Sequence, residues 1–176
     1  MKKVIALAGS NSKKSINKQL AIYTANLIDD VKTNILDLND FDIPIYSIDY
    51  ENEHGIPDKA YKFLSLVKEA DGVILSLAEH NGAYTTAFKN IFDWVSRIEG
   101  SFWSEKPMLL MATSPGGRGG ASVLSIAQDR FPRHAANITG VFSLPSFGTN
   151  FSEGKISNKD LDDELKEHVK NFKGVL

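Results

Sequence analysis

Hydroxyl and amide side chains are concentrated between Gly9 and Asn17, directly after an apolar run that begins at Val4. An apolar run followed by a polar turn and then by a helical pattern predicts a strand, a loop and the start of a helix. At a helix start, unpaired backbone N–H groups and the positive end of the helix dipole attract anions. The segment therefore predicts a phosphate site, in which two lysines are surrounded by Ser10, Asn11, Ser12, Ser15 and Asn17.

Two common phosphate-binding motifs are absent from this loop. A Walker A loop needs G-x-x-x-x-G-K-[ST] and a dinucleotide fingerprint needs G-x-G-x-x-G, and neither pattern occurs after Gly9. A hydroxyl-rich loop suits a terminal monophosphate, such as that of FMN. Three charge-assisted hydrogen bonds to the phosphate, of about 1.5 to 3 kcal/mol each, would together supply barely the roughly 8 kcal/mol of free energy that micromolar binding requires. Other loops must therefore hold the rest of the ligand. An ordinary helix cap explains the loop alone equally well.

Two further loops have the composition of a site for a flat ligand. The segment A-E-H-N-G-A-Y, residues 78–84, puts polar and small residues between a buried run and a helical pattern. The segment S-P-G-G-R-G-G, residues 114–120, holds four glycines, which let backbone approach a ligand closely. Together the three loops predict a site for a phosphorylated, planar cofactor.

Short apolar runs alternate with segments of helical period along the whole chain. The runs predict five strands, at residues 4–8, 34–38, 73–77, 108–112 and 139–144. Apolar residues share helical faces at 20–31, 63–67, 88–95, 123–127 and 161–172. The last of these helices begins near Ser157 or Asn158, either of which is a good cap. Residues 40–57 show the least regular pattern, which predicts a long surface connection.

Five strands, each followed by a helix, predict an α/β fold with a parallel sheet covered by helices on both faces. The flavodoxin-like three-layer sandwich with strand order 2-1-3-4-5 suits this count. Such sheets bind ligands beyond the carboxyl ends of their strands, where all three loops are predicted to lie. A length of 176 residues with 42% hydrophobic residues predicts one domain, residues 1–176.

Composition narrows the classes of partner and chemistry. The 20 basic and 22 acidic residues give a net charge of −2 and are scattered, which argues against nucleic acid as a partner. The chain has no cysteine and its four histidines show no metal-ligand spacing, so no metal site is predicted. The apolar run after the N-terminus is too short for a signal peptide, and no run reaches the ~18 residues of a membrane span. We therefore expect a cytoplasmic protein without a membrane segment.

Three motifs in this chain resemble those of the NADPH-dependent FMN reductases, a family that includes quinone, azo-dye and chromate reductases. Residues 9–17 resemble the family's G-S-x-R-x-x-S-x-N phosphate loop, with Ser12 in place of the usual arginine. Residues 78–94 resemble its P-E-Y-N signature followed by K-N-x-x-D-W, with Ala78 in place of proline and His80 in place of tyrosine. Residues 114–120 are similar to its glycine-rich loop, and the resemblance covers nearly the whole chain.

The resemblance implies that FMN carries the chemistry. Hydride passes from NADPH, or NADH, to the flavin, and electrons then leave to a small-molecule acceptor, so no protein side chain is expected to be catalytic. The resemblance also implies a homodimer or homotetramer, with residues 42–46 near the subunit contact, and it makes Arg118 a candidate for the NADPH phosphate. The cofactor-binding residues that it implies are Ser10, Ser12, Ser15, Ile16, Asn17, Glu79, His80, Asn81, Gly82, Ser114, Gly116 and Gly117.

Two other functions fit the same motifs. A flavodoxin-type electron carrier would bind FMN but take electrons from a protein partner. Such carriers are usually strongly acidic, and a net charge of −2 fits them poorly. A flavin-binding sensor without NADPH oxidation is the third interpretation, and the departures at Ser12, Ala78 and His80 keep it open.

Overall fold

A parallel five-stranded sheet forms the centre of the computed structural model, which describes residues 1–176. Its strands are β1 (Lys2–Gly9), β2 (Val31–Leu36), β3 (Gly72–Leu77), β6 (Pro107–Thr113) and β7 (Asn137–Leu144). Two short antiparallel hairpins pair β4 (Glu79–His80) with β5 (Ala83–Tyr84) and β8 (Phe151–Ser152) with β9 (Lys155–Ile156). The sheet order is β2-β1-β3-β6-β7, which confirms the predicted order 2-1-3-4-5 when only the sheet strands are counted.

Helices connect the strands and cover both faces of the sheet. They are α1 (Ile16–Asn26), α2 (Ile48–His54), α3 (Asp58–Glu69), α4 (Thr86–Ile98), α5 (Ala121–Arg130), α6 (Phe147–Asn150) and α7 (Lys159–Gly174), with short 3-10 helices at Leu38–Phe41 and Phe131–His134. The side chains of Val73 and Leu75 pack in a core with α3, α4 and α5, while Ile74 between them packs in a second core with α1 and α7. This alternation along a strand buried on both faces produces the three layers.

The second strand lies earlier in the sequence than predicted. It starts at Val31, which pairs with Lys2 of β1, and ends at Leu36, whereas the prediction was 34–38. The prediction that Val31 belongs to the apolar face of the first helix is wrong, because α1 ends at Asn26. The strand lies at the edge of the sheet and exposes Lys32, so it lacks the continuous apolar run used to find the others.

The connection between residues 40 and 57 is more regular than predicted, because it contains α2. The Ser47 hydroxyl accepts a hydrogen bond from the Tyr50 backbone N–H and caps this helix, none of whose residues is buried. Asn158, one of the two predicted caps, caps α7 through the N–H groups of Asp160 and Leu161. None of the helices is both long and apolar enough to cross a membrane.

Candidate functional site

A cavity of about 210 Å³ lies where the three loops meet at the carboxyl ends of the strands. The loop after β1, the loop after β3 and the loop after β6 all contribute to its wall. Its lining residues are Ser10, Ser12, Lys14, Ser15, Ile16, Asn17, Ala78, Glu79, His80, Thr113, Ser114 and Pro115. The structure therefore brings together residues from all three loops that the sequence analysis predicted to form a cofactor site.

The first loop presents unpaired donors to this cavity. The Ser15 hydroxyl accepts a hydrogen bond from the Lys18 backbone N–H at 3.1 Å, which caps α1. The backbone N–H groups of Ile16 and Asn17 then have no acceptor within the chain. The Ser12 hydroxyl and the exposed Lys14 ammonium also have no hydrogen-bond partner within the chain. This set of donors at a helix N-terminus is suited to a phosphate group.

The side chain of Asn17 has a structural role that the sequence did not reveal. Its amide Oδ1 accepts hydrogen bonds from the Ser76 hydroxyl at 2.7 Å and from the Thr113 backbone N–H at 3.0 Å. Its Nδ2 donates to the Thr113 carbonyl at 3.1 Å. The side chain is buried and occupied by these bonds, so the backbone N–H of Asn17 is the group left for a ligand.

The second loop is a tight β-hairpin rather than an open loop. Asn81 and Gly82 form its turn, with φ values of +52° and +78°, and this dipeptide is the usual turn for a two-residue hairpin. The backbone N–H groups of Ala78, Asn81 and Gly82 have no acceptor within the chain. His80 is exposed and its ring has no hydrogen-bond partner. The Asn-Gly pair was the sequence signal for this hairpin.

Glu79 links the hairpin to the helix that follows the glycine-rich loop. Its carboxylate Oε2 accepts a hydrogen bond of 2.9 Å from the backbone N–H of Val123, in the first turn of α5. The N-cap residue of that helix is Gly120, which has no side chain that could accept this hydrogen bond. A Cβ there would lie 2.7 Å from the Cβ of Ala112, and φ is +80°, so glycine is required. Glu79 therefore caps α5 from a distance.

The glycine-rich loop after β6 leaves its backbone open. The Ser114 hydroxyl donates to the Gly116 carbonyl at 3.1 Å. Gly116 and Gly117 are exposed, and a Cβ on either would meet no heavy atom within 4 Å. Their N–H groups and that of Ser114 have no acceptor within the chain. Arg118 is exposed and donates to the Ser122 hydroxyl.

A larger cleft of about 490 Å³ lies beside the first cavity. His80 is the one residue that lines both cavities. At the tip of the first loop, Asn11 faces the cleft, whereas Ser10 and Ser12 on either side of it line the smaller cavity. Buried Thr85 supports this arrangement, since its hydroxyl donates to the Gly9 carbonyl at 2.8 Å. The cleft is lined by Asn11, Leu38, Asn39, Phe41, Asp42, Ile43, His80, Thr85, Thr86, Ala87 and Asn90.

The predicted site residues divide into two groups. Eight line the smaller cavity, namely Ser10, Ser12, Ser15, Ile16, Asn17, Glu79, His80 and Ser114. The other five do not line it and lie on the turn of the hairpin or in the glycine-rich loop, namely Asn81, Gly82, Gly116, Gly117 and Arg118. Four lining residues were not among the predicted cofactor-binding residues, namely Lys14, Ala78, Thr113 and Pro115. Of these, Thr113 ends a strand at the edge where such sheets bind ligands.

Tyr84, the last residue of the hairpin, lies in an aromatic cluster. Its ring stacks on Phe131 with a centroid distance of 6.0 Å and an interplanar angle of 5°. Its hydroxyl is buried without a hydrogen-bond partner, and burial raises the pKa of Tyr84 to about 12. The phenol is therefore neutral under ordinary conditions and packs the hairpin against the 3-10 helix Phe131–His134.

Known proteins share this sequence pattern and fold. A 2-hydroxy-1,4-benzoquinone reductase from Burkholderia sp is 35% identical over 121 residues, 68% of this chain and 64% of that protein. The chain thus spans less than two thirds of that relative. An NADPH azoreductase from Bacillus sp. (strain OY1-2) is 27% identical over 185 residues, 98% of this chain and 96% of the relative. FerB, a flavoenzyme NAD(P)H:(acceptor) oxidoreductase from Paracoccus denitrificans, has the same fold, with a TM-score of 0.79, 22% identity and coverage of 99% and 96%.

The family pattern described as NADPH-dependent FMN reductase matches residues 2–149, which include all three loops and both cavities. That description names the two cofactors, FMN and NADPH, that the sequence predicted. The fold, the loops and this match together establish that the chain belongs to the NADPH-dependent FMN reductase family.

Proposed function

We propose that this protein is an FMN-dependent NAD(P)H oxidoreductase that passes electrons to a small-molecule acceptor. One observation carries the proposal: two groups of unpaired backbone donors border the same cavity, one at the start of α1 and one at Ala78 and Ser114, directly after β3 and β6. The first suits a phosphate and the second suits the carbonyl and nitrogen acceptors of a flat ring. FMN carries both kinds of acceptor.

The first loop would hold the phosphate of FMN. The backbone N–H groups of Ile16 and Asn17 point outward from the helix start, and the hydroxyls of Ser10, Ser12 and Ser15 surround it. The Lys14 ammonium lines the same cavity and supplies a positive charge where the family usually has an arginine fork. The side chain of Asn17 acts indirectly, because its hydrogen bonds fix the loop to β3 and β6.

The hairpin and the glycine-rich loop would hold the ring. The backbone N–H groups of Asn81 and Gly82, and those of Ser114, Gly116 and Gly117, have no acceptor within the chain and would donate to the ring. When bound, FMN supplies the hydride and electron transfer. The protein then has to orient the ring and leave one face accessible, and the open backbone at Gly116 and Gly117 leaves room for this.

The electron donor and the acceptor are assigned from the surroundings of the site and from the relatives. Arg118, exposed in the glycine-rich loop, is our candidate for the phosphate of NADPH. The relatives named as quinone reductase and azoreductase support a quinone or an azo compound as the acceptor. We expect both substrates to use the same accessible ring face in turn.

The homodimer or homotetramer stays a prediction, as do the single domain and the cytoplasmic location. Support for self-association comes from the segment that leads into α2, where Ile45 is 76% exposed and Ile48 is 51% exposed. Contact surfaces are marked by exposed apolar side chains that lie together in a patch. Light scattering at several protein concentrations would measure the oligomeric state.

The first experiment is an absorption spectrum of the protein after loading with FMN and desalting, followed by anaerobic addition of NADPH. Flavin bands that remain after desalting and bleach with NADPH are the result expected of a reductase. Bands that remain but do not bleach would indicate an electron carrier or a sensor. Loss of flavin on desalting would show that FMN is a transient substrate or that the phosphate loop is assigned wrongly, and an FMN titration separates the two.

A further inference from the structure

We propose that the larger cleft beside His80 binds the electron acceptor and selects acceptors that carry no negative charge. This inference rests on the proposed reductase function, and it names the substrate class that the cleft admits.

The position follows from the volumes of the two cavities. At about 210 Å³, the smaller one falls below the roughly 300 to 1,000 Å³ of small-molecule pockets. A cofactor whose phosphate lies there must therefore extend out of it. At about 490 Å³, the cleft on the other side of His80 is within that range. The exposed His80 ring, which has no hydrogen-bond partner, lines both cavities and therefore makes them neighbours.

Three polar side chains of the cleft are available to a ligand. The Asn11 amide, the Asp42 carboxylate and the Thr86 hydroxyl are exposed and have no partner within the chain. By contrast, the Asn90 amide is occupied, because it accepts from the Tyr46 N–H and donates to two backbone carbonyls. Asn11 and Thr86 can donate to carbonyl oxygens, while leucine, phenylalanine and isoleucine side chains supply apolar wall.

The charge of the cleft favours uncharged acceptors. Asp42 is its one carboxylate, and no lysine or arginine lines it. Lys62, 5.9 Å from the centre of the Phe41 ring, is outside the lining, and Lys18 is paired with Asp37. A sulfonate or phosphate on an acceptor would therefore meet a carboxylate and no cation. An uncharged quinone, with two carbonyl oxygens and a flat apolar body, fits the lining.

The test compares 1,4-naphthoquinone with 1,4-naphthoquinone-2-sulfonate as acceptors for the FMN-loaded protein at saturating NADPH. The measured quantity is the ratio of their kcat/KM values. Asp42→Asn should lower the preference for the uncharged quinone about sevenfold, as expected for unit charges roughly 7 Å apart at an effective dielectric near 40. Asp42→Lys should lower it further, and 0.5 M NaCl should shrink both effects.

Asp40→Asn is the matched control, because Asp40 is an exposed carboxylate two residues away that does not line the cleft. Its ratio should equal that of the unchanged protein. A binding measurement that needs no turnover accompanies the kinetics. Adding 1,4-naphthoquinone to the oxidised, isotopically labelled protein should shift the backbone NMR signals of Asn11, Asp42 and Thr86.

The outcomes separate the two proposals. If NADPH bleaches the flavin but the Asp42→Lys ratio is unchanged, or if the shifted signals lie away from the cleft, the cleft is not the acceptor site and the reductase function stands. If NADPH fails to bleach the flavin, the reductase function is wrong whatever the NMR titration gives.

Discussion

The Glu79 carboxylate lies 2.9 Å from the backbone nitrogen of Val123 and joins the hairpin after β3 to the first turn of α5. The glycine-rich loop, residues 114–120, leads directly into α5, so this bond connects the two loops that would hold the ring. A carboxylate at a helix N-terminus also interacts favourably with the helix dipole. The separation of the two loops is therefore fixed by a side chain and not by sheet pairing alone.

Glu79→Ala should destabilise the protein by about 1 kcal/mol, because it removes the cap of α5. It should also weaken FMN binding, since the hairpin loses its link to the glycine-rich loop. Glu79→Gln keeps an acceptor oxygen and should restore most of both properties. Urea unfolding and FMN titration measure these changes, and Glu167→Ala, an exposed position on α7, is the control. Equal FMN affinity in Glu79→Ala would show that the bond stabilises the helix only.

Asn17→Ala should cost about 2 to 4 kcal/mol of unfolding free energy, because it leaves the Ser76 hydroxyl and the Thr113 backbone without partners in the interior. Asn26→Ala, at the exposed end of the same helix, should change it by less than about 0.5 kcal/mol. Chemical denaturation of the protein without FMN isolates this structural effect. Similar midpoints for the two variants would contradict the role assigned to Asn17.

Ser12→Arg should tighten FMN binding, since it places a guanidinium where the family usually has one. Ser12 is exposed at the edge of the smaller cavity, so the longer side chain has room. One added charge-assisted hydrogen bond of about 1.5 to 3 kcal/mol corresponds to a gain of roughly tenfold or more. Fluorescence titration with FMN measures it, with riboflavin as the control ligand without phosphate. A gain for riboflavin as well would show that the arginine does not act through the phosphate.

Tyr84→Phe should stabilise the protein or leave it unchanged at pH 7, because the buried hydroxyl that it removes has no partner. The folded pKa of Tyr84, about 12, is above the usual value of 10.0, so the neutral phenol contributes stability that is lost as pH rises between these values. The advantage of the variant should therefore grow from pH 10 to pH 12. Unfolding free energies at pH 7, 10 and 11 test this, and a constant difference would contradict it.

The sheet and its loops could be predicted because both leave local signals in the sequence. Buried strands such as β3 are continuous apolar runs, and the polar residues that follow them mark the ligand edge. Strand β2 was misplaced because an edge strand needs no such run, and α2 was missed because it buries no residue. The local pattern of apolar residues therefore does not reveal an edge strand or a helix without buried residues.

Long-range hydrogen bonds account for what the sequence did not reveal about the site. Asn17 and Thr113 are 96 residues apart, and Glu79 and Val123 are 44 apart. Nothing in the type or spacing of these residues distinguishes a side chain that binds a ligand from one that holds a loop in place. Only the folded chain showed that Asn17 uses its amide internally and that Glu79 caps a helix.

The bonds of Asn17 to two strands also have a kinetic consequence. A loop held at its base by the sheet keeps its donors in place before any ligand arrives, so association requires no ordering step. Binding of FMN should then follow a single exponential whose rate rises linearly with FMN concentration. A protein built in this way can release its flavin and bind another without refolding the loop that holds the phosphate.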